Sequence, residues 1–316
     1  MSNNVPRDRT YDVLAVGELV ADFISSDAVD NVGDADTFSR YLGGSPANLA
    51  RNLAVLGKRS SLVATVGHDG LGRYLVEQLD DAGVDTGHLA FHDEKPTSTV
   101  LIARSPETPD FIHYREADTQ IADEQLPDAL IESASVFHTT CVALSSDPAR
   151  SAILRASSCA ADAGCHLSID ANYVRSHWPN PEVARRTIRE YCRETALVKV
   201  SMDDVERLFE SDSLAPEDAV GRVHDWGARL ACLTMGDEGS LISWKDGERR
   251  QFVEAESVDE VHGATGAGDA YWSGFLTGWL DDREPPRCAA IGAKVAAAKV
   301  RRPGPLSGPP PELEPG

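Results

Sequence analysis

Thr265-Gly266-Ala267-Gly268-Asp269-Ala270-Tyr271-Trp272-Ser273-Gly274-Phe275 is the stretch on which the reading of this chain turns. Gly266-Ala267-Gly268 is a small-residue loop that opens a helix. Tyr271, Phe275 and Trp279 recur every four residues, and so do Trp272, Leu276 and Leu280, which gives that helix a buried face. Free N–H groups at a helix start, together with the helix dipole, make an anion site. Glycines without side chains let a phosphate come close to the backbone. Asp269 stands in the first turn, beside that anion. A carboxylate there can take the proton of an alcohol that attacks phosphorus. Taken alone, the same Asp would also suit a helix N-terminus with no further role.

Other segments tip the balance. Leu42-Gly43-Gly44-Ser45-Pro46-Ala47-Asn48 is a Gly-Gly turn feeding a helix, with Pro46 suited to the helix start. Asn48 can both donate to and accept from sugar hydroxyls. Thr234-Met-Gly236-Asp-Glu-Gly239 follows a buried strand and reads as a tight turn or a loop along a nucleotide. Asp170-Ala-Asn172 and Ser201-Met-Asp-Asp204 each end a strand, where ligands gather in open α/β sheets.

Around these motifs strands alternate with helices. Strands are expected at 13–17, 61–67, 135–140, 166–170, 197–201, 229–234 and 240–244, and helices at 46–56, 71–82, 148–163, 181–194 and 216–226. This order predicts an α/β fold in three layers, a mainly parallel sheet covered on both faces. Residues 18–42 and 88–117 break the alternation with short β-like pieces, and are expected to form a small sheet across the strand ends. Six of the 18 prolines fall in the last 16 residues, so the tail 303–316 reads as extended or disordered, and 1–10 as an N-terminal extension.

The chain has 316 residues and a net charge of −21, with 51 acidic against 30 basic side chains. Such a field repels phosphate backbones and argues against a nucleic-acid partner. It is also what adaptation to high salt would produce. No apolar run reaches the ~18 residues of a membrane span, and the polar N-terminus lacks the apolar centre of a signal peptide. A cytoplasmic protein is expected. The six cysteines show no metal-binding spacing. His138 and His166, in or beside apolar strands, read as buried neutral side chains, and His262 is the one histidine near the glycine loop.

Over residues 11–302 these motifs, in this order, resemble the ribokinase-type (PfkB) family of ATP-dependent sugar kinases. The resemblance rests on Gly17-Glu18 with Asp22, Gly43-Gly44-Ser-Pro-Ala-Asn48, Val66-Gly67-His-Asp69, Asp170-Ala-Asn172-Tyr173 with Trp178, Lys199-Val-Ser201, Thr234 to Gly239 and Thr265 to Asp269. It implies a ribokinase-like fold with a β lid over the sugar, and a homodimer formed through that lid. It implies that Asp269 is the base and that Gly266, Ala267 and Gly268 form the anion hole. Asp22, Gly43, Gly44, Asn48, Asn172 and the lid-borne Arg115 would hold the sugar. Lys199, Ser201, Thr234, Gly236 and Gly239 would line the ATP site, and Asp204 would organise Mg²⁺ through water.

The chain departs from the family pattern at three places. Gly263-Ala264 replaces Asp-Thr, removing a carboxylate the family uses at a monovalent-cation site. Ser201-Met-Asp-Asp204 replaces Asn-x-x-Glu. Val174 replaces the Arg of Asp-Pro-Asn-x-Arg, with Arg175 one place late and so on the opposite side of an extended chain. The resulting expectation is phosphorylation of a primary hydroxyl of a small sugar, fructose first. The GGSPAN run, Phe137-His-Thr-Thr and Tyr271-Trp272 all resemble bacterial fructokinases. 2-Keto-3-deoxygluconate and other sugar acids or nucleosides rank behind. A non-catalytic sugar- or nucleotide-binding protein on the same fold is the rival from another class, and the intact Asp269 counts against it.

Overall fold

The computed structural model describes residues 3–104, 110–193, 196–261, 263, 265–302, 304–310 and 313. His262 and Ala264 lie outside the described residues. In chain order the strands are β1 (Tyr11–Val16), β2 (Val20–Ala28), β3 (Phe38–Gly43), β4 (Ser60–Gly67), β5 (Leu89–His92), β6 (Thr99–Arg104), β7 (Phe111–Tyr114), β8 (Ala134–Thr140), β9 (His166–Asp170), β10 (Ala196–Ser201), β11 (Ala228–Thr234), β12 (Ser240–Trp244) and β13 (Arg249–Val253). The helices are α1 (Ser45–Val55), α2 (Gly70–Asp80), α3 (Asp128–Ile131), α4 (Ala149–Asp162), α5 (Pro181–Cys192), α6 (Met202–Phe209), α7 (Pro216–His224), α8 (Ala267–Leu280) and α9 (Pro285–Val300).

The large sheet runs β13-β12-β11-β10-β9-β8-β1-β4-β5. From β11 to β5 its neighbours pair in parallel, while β12 and β13 return antiparallel at one edge. Side chains alternate across the sheet. Val13 and Ala15 of β1 face a core shared with α1, α2, α8 and α9, whereas Leu14 and Val16 face one shared with α3 to α7. That is the three-layer arrangement. α8 is apolar nearly all round and is buried accordingly. Trp272 is fully buried, with its indole N–H donating to Ser168 Oγ at 2.9 Å, so its apolar burial is not offset by an orphaned donor.

A second sheet, ordered β3-β2-β6-β7, forms the lid. β2 pairs antiparallel with β3 and parallel with β6, and β6 pairs antiparallel with β7. The expected lid over 88–117 needs one correction. Leu89–His92 is not in the lid: it pairs in parallel with β4 and forms the edge of the large sheet. The loop that returns from it to β6 is pinned by Asp69, which caps α2 through Leu71 N and Gly72 N and also accepts from Thr97 N and Thr97 Oγ1. In the tail, residues 304–310 form no helix or strand, yet Leu306 is buried and its carbonyl accepts from Arg51. No helix among the described residues is long and apolar enough to cross a membrane.

Candidate active site

The order β8-β1-β4 places β1 where the chain's crossovers change direction, the position at which open α/β sheets form a crevice. A cavity of about 430 Å³ lies between that crevice and the lid. Of the residues anticipated from sequence, Asp22, Gly44, Asn48, Arg115, Asn172, Gly266 and Asp269 line it.

Asp269 sits at the opening of α8. Gly266 is the N-cap, in the left-handed region at φ 78°. The first intrahelical bond runs from Ala270 N to Gly266 O at 3.0 Å, so the N–H groups of Ala267, Gly268 and Asp269 precede it. The Asp269 carboxylate accepts from Ser45 Oγ at 2.6 Å on Oδ1 and from Asn48 Nδ2 at 2.8 Å on Oδ2. Both donors come from the first turn of α1. The turn before that helix explains its glycines. Gly44 has φ 96°, and a Cβ there would lie 2.2 Å from Glu18 O. A Cβ on Gly43 would lie 2.2 Å from the Asp22 carboxyl, so Gly43 holds the sugar side of the site only by leaving room for Asp22.

Glu18, buried at the cavity wall beside the turn, accepts from Ser45 N at 3.2 Å and Thr140 Oγ1 at 2.8 Å. Burial pushes it up to about 7. Among the described residues no protein donor reaches the Asp22 carboxyl, which faces the cavity. Burial, and then the Asp269 charge, push it up to about 7. Arg115 is engaged by the protein itself. Its guanidinium donates to Asp118 at 2.8 Å through Nε, to Val142 O at 3.1 Å and to Ser145. Val174 lines the cavity, whereas Arg175 is exposed and 4.0 Å from Glu210.

The residues expected at the ATP site lie outside this cavity, along the ends of β10 and β11. Lys199 is buried and donates to Asp170 Oδ2 at 2.8 Å. Burial raises Asp170 to about 6 against the pull of Lys199; burial pulls Lys199 down, but Asp170, joined by Asp204 and Asp269, raises it overall and keeps it protonated. Lys199 Nζ lies 2.9 Å from where a Cβ on Gly268 would be, which joins the ATP-side residues to the start of α8. Asp170 Oδ1 is buried with no partner among the described residues. Ser201 caps α6, accepting from Asp204 N at 3.1 Å and donating to Asp204 Oδ2 at 2.6 Å. Asp204 Oδ1 accepts from Tyr173 N. Gly236 begins the 3₁₀ turn after Thr234, with open space where a side chain would go. Gly239 is set by the chain's own backbone, because a Cβ would lie 2.3 Å from Val253 O.

Sequence reasoning assigned no role to Ser45, Glu18 or Asp118. Ser45 carries a signal, a hydroxyl directly after the Gly-Gly turn, and Glu18 stands in the Gly17-Glu18 motif of the family resemblance. His138 and His166 are pushed down by burial to about 3 and about 4, which keeps them neutral as read.

Comparison with known proteins agrees with this geometry. The chain matches the pfkB family carbohydrate kinase pattern over residues 11–312. It is 35% identical to a protein of Thermoanaerobacterium thermosaccharolyticum named ATP-dependent 6-phosphofructokinase, over 93% of this chain and 89% of that one. It is 34% identical to rice (Oryza sativa subsp. japonica) fructokinase-1, over 85% of this chain and 83% of the relative. The solved structure of Halothermothrix orenii fructokinase superposes with a TM-score of 0.77 at 34% identity, covering 89% of this chain and 96% of that one. A ribokinase-like sheet and lid, a carboxylate at the start of α8 and a family match over nearly the whole chain together make this protein a member of the pfkB family of carbohydrate kinases, an ATP-dependent sugar kinase.

Proposed function

We propose that the acceptor is fructose, phosphorylated on a primary hydroxyl with Asp269 as base. The observation that carries this is the setting of Asp269: a carboxylate on the cavity wall, held on both oxygens by Ser45 and Asn48, beside the free N–H groups that open α8. In the reaction the hydroxyl proton passes to Asp269 and the sugar oxygen bonds to the γ-phosphorus. The bond from that phosphorus to the β–γ bridging oxygen breaks, leaving ADP. Gly266, Ala267 and Gly268 supply the anion hole. Asp22, without a protein donor, accepts from sugar hydroxyls, and Asn48 and Asn172 face the same space.

The cavity's charge supports a neutral sugar. Asp269 lines it together with Glu18 and Asp22, which burial leaves only partly ionised at neutral pH, against one guanidinium, Arg115, already paired with Asp118. Val174 leaves an apolar wall where an arginine would suit a carboxylate. This ranks fructose above fructose 6-phosphate, the acceptor suggested by the name of the Thermoanaerobacterium relative, and above 2-keto-3-deoxygluconate. Magnesium, bound with ATP, neutralises phosphate charge. Asp170, whose Oδ1 has no partner among the described residues, and the nearby Asp204 would be the hard oxygen donors that organise it, through water. Lys199, Ser201, Thr234, Gly236 and Gly239 line the nucleotide's path. The reading extends to one kinase unit over 11–302, a cytoplasmic location, and a homodimer through the lid, whose edge strand β7 exposes Phe111, Ile112 and Tyr114.

The test is ADP release against fructose, fructose 6-phosphate, 2-keto-3-deoxygluconate and nucleosides, with wild type and Asp269→Asn. Fructose should give the highest kcat/KM. Asp269→Asn should lower kcat by about 10²–10⁴ with ATP affinity kept. Preference for a phosphorylated or acidic acceptor would reject the substrate, and a fully active Asp269→Asn would reject the mechanism.

A further inference from the structure

We infer that Lys299 supplies a fixed positive charge to phosphoryl transfer at the Gly266 end of the Gly266–Gly268 loop, whose Gly268 end meets Lys199. The inference rests on reading that loop as the phosphoryl site.

Lys299 stands in the last turn of α9, which packs along α8. Its stem reaches back to the start of α8. Cε lies 3.6 Å from where a Cβ on Gly266 would be, and Asn48 Nδ2 and Asp269 Oδ2 each lie 3.9 Å from that same point. The lysine, the base and one of the base's two holders therefore converge on one glycine. A lysine near the end of α9 also suits that helix's own dipole. An exposed side chain would serve that purpose, however, whereas this one is half-buried and reaches toward Gly266. Among the described residues its ammonium makes no hydrogen bond or ion pair. Burial pushes Lys299 down, and the charge of Asp269 works in the opposite direction.

The Gly268 end of the loop is built differently. Lys199 touches the Gly268 side but is matched there by Asp170 at 2.8 Å. Lys299 has no such match, and it lies beside the positive end of α8, where a cation is disfavoured. Two unfavourable features, partial burial with no hydrogen bond or ion pair among the described residues and a like-signed helix end, are relieved by one change: arrival of an anionic phosphoryl group. In a site closed from water such a charge acts on whatever negative charge builds up during transfer. It would act beside the loop's N–H groups, while Asp269 takes the proton.

The experiment compares kcat and sugar KM for wild type, Lys299→Met, Lys299→Ala, Lys299→Arg and Asp269→Asn at fixed ionic strength. Methionine keeps the length and apolar packing but removes the charge. Turnover of the Met and Ala variants should fall about 10- to 100-fold, with the sugar KM nearly unchanged, because the charge acts on the transition state. Arginine should recover part of the loss. Added methylammonium should restore the Ala variant saturably, where tetramethylammonium does not. Wild-type turnover in Lys299→Met overturns the inference. So does a loss that neither arginine nor methylammonium recovers, since that marks a structural role. A fully active Asp269→Asn would instead reject the site itself, and an inactive one beside a fully active Lys299→Met would reject the lysine alone.

Discussion

Asp22 carries the clearest pH signature at the level of single residues. Its folded value is raised to about 7 from an ordinary 3.8 by burial and by Asp269. Between those two values the folded protein keeps a proton that the unfolded chain has released. The stability from that protonated carboxyl is complete below about pH 4 and is lost as pH rises through 7. Asp22→Asn keeps the shape without the titration. Its stability relative to wild type should rise by about 2–3 kcal/mol between pH 5 and pH 8. Urea unfolding of both proteins at the two pH values checks this, and parallel behaviour would contradict it. Local sequence made Asp269, Gly44 and Asn48 legible, because a glycine turn and a helix start are short-range features. It could not reveal that Ser45 and Asp269, 224 positions apart, share a hydrogen bond. Nor could it show that Gly43 exists to admit Asp22, or that Arg115 spends its guanidinium on Asp118.

The lid and the body meet through specific side chains. His113 on β7 shares a 2.7 Å hydrogen bond with His177, on the segment after β9, and stacks on Phe111 at 4.9 Å between centroids. Arg115 reaches Val142 O from the same side of the lid. Burial, with Arg115 nearby, holds His113 down at about 4 and His177 at about 3. Both are therefore neutral in the folded protein above pH 5, and one donates to the other. Their folded values lie below the unfolded one, so the stability they carry is present above pH 6.5 and falls away as pH drops toward 4. His177→Ala removes a bond worth about 1 kcal/mol, so the sugar KM should rise roughly fivefold. ATP hydrolysis without sugar should rise too, because a looser lid admits water. Steady-state kinetics at pH 7 with and without sugar decides it; an unchanged KM would show that the pair does not tie the lid. The lid itself was legible as β-like pieces without helical periodicity. Leu89–His92 was misplaced because four residues carry no sign of which sheet they join. α9 is not legible because its Ala-rich stretch shows little amphipathic contrast.

For the whole molecule the dominant quantity is charge. Fifty-one carboxylates face 30 basic side chains, and several of the latter are already paired on the surface, as in Arg59–Asp12, Lys58–Asp281 and Arg155–Asp123. The remaining negative charge is spread over a surface where each pair interacts weakly but all interact with one another. Such repulsion destabilises the compact state in dilute buffer and is screened within about 10 Å at 0.1 M salt and about 3 Å at 1 M. We therefore expect the melting temperature to rise between dilute buffer and molar KCl. The rise should be as large in Asp269→Asn as in wild type, because it belongs to the surface and not to the site. Exposed pairs such as Arg59–Asp12 weaken under the same screening, so they oppose the trend and cannot produce it. Molar NaCl should match molar KCl, since screening depends on ionic strength and not on which cation provides it. A flat or falling melting temperature would reject salt adaptation and leave the acidity as composition alone. A rise with KCl that NaCl does not reproduce would point to a specific cation site in place of a diffuse field.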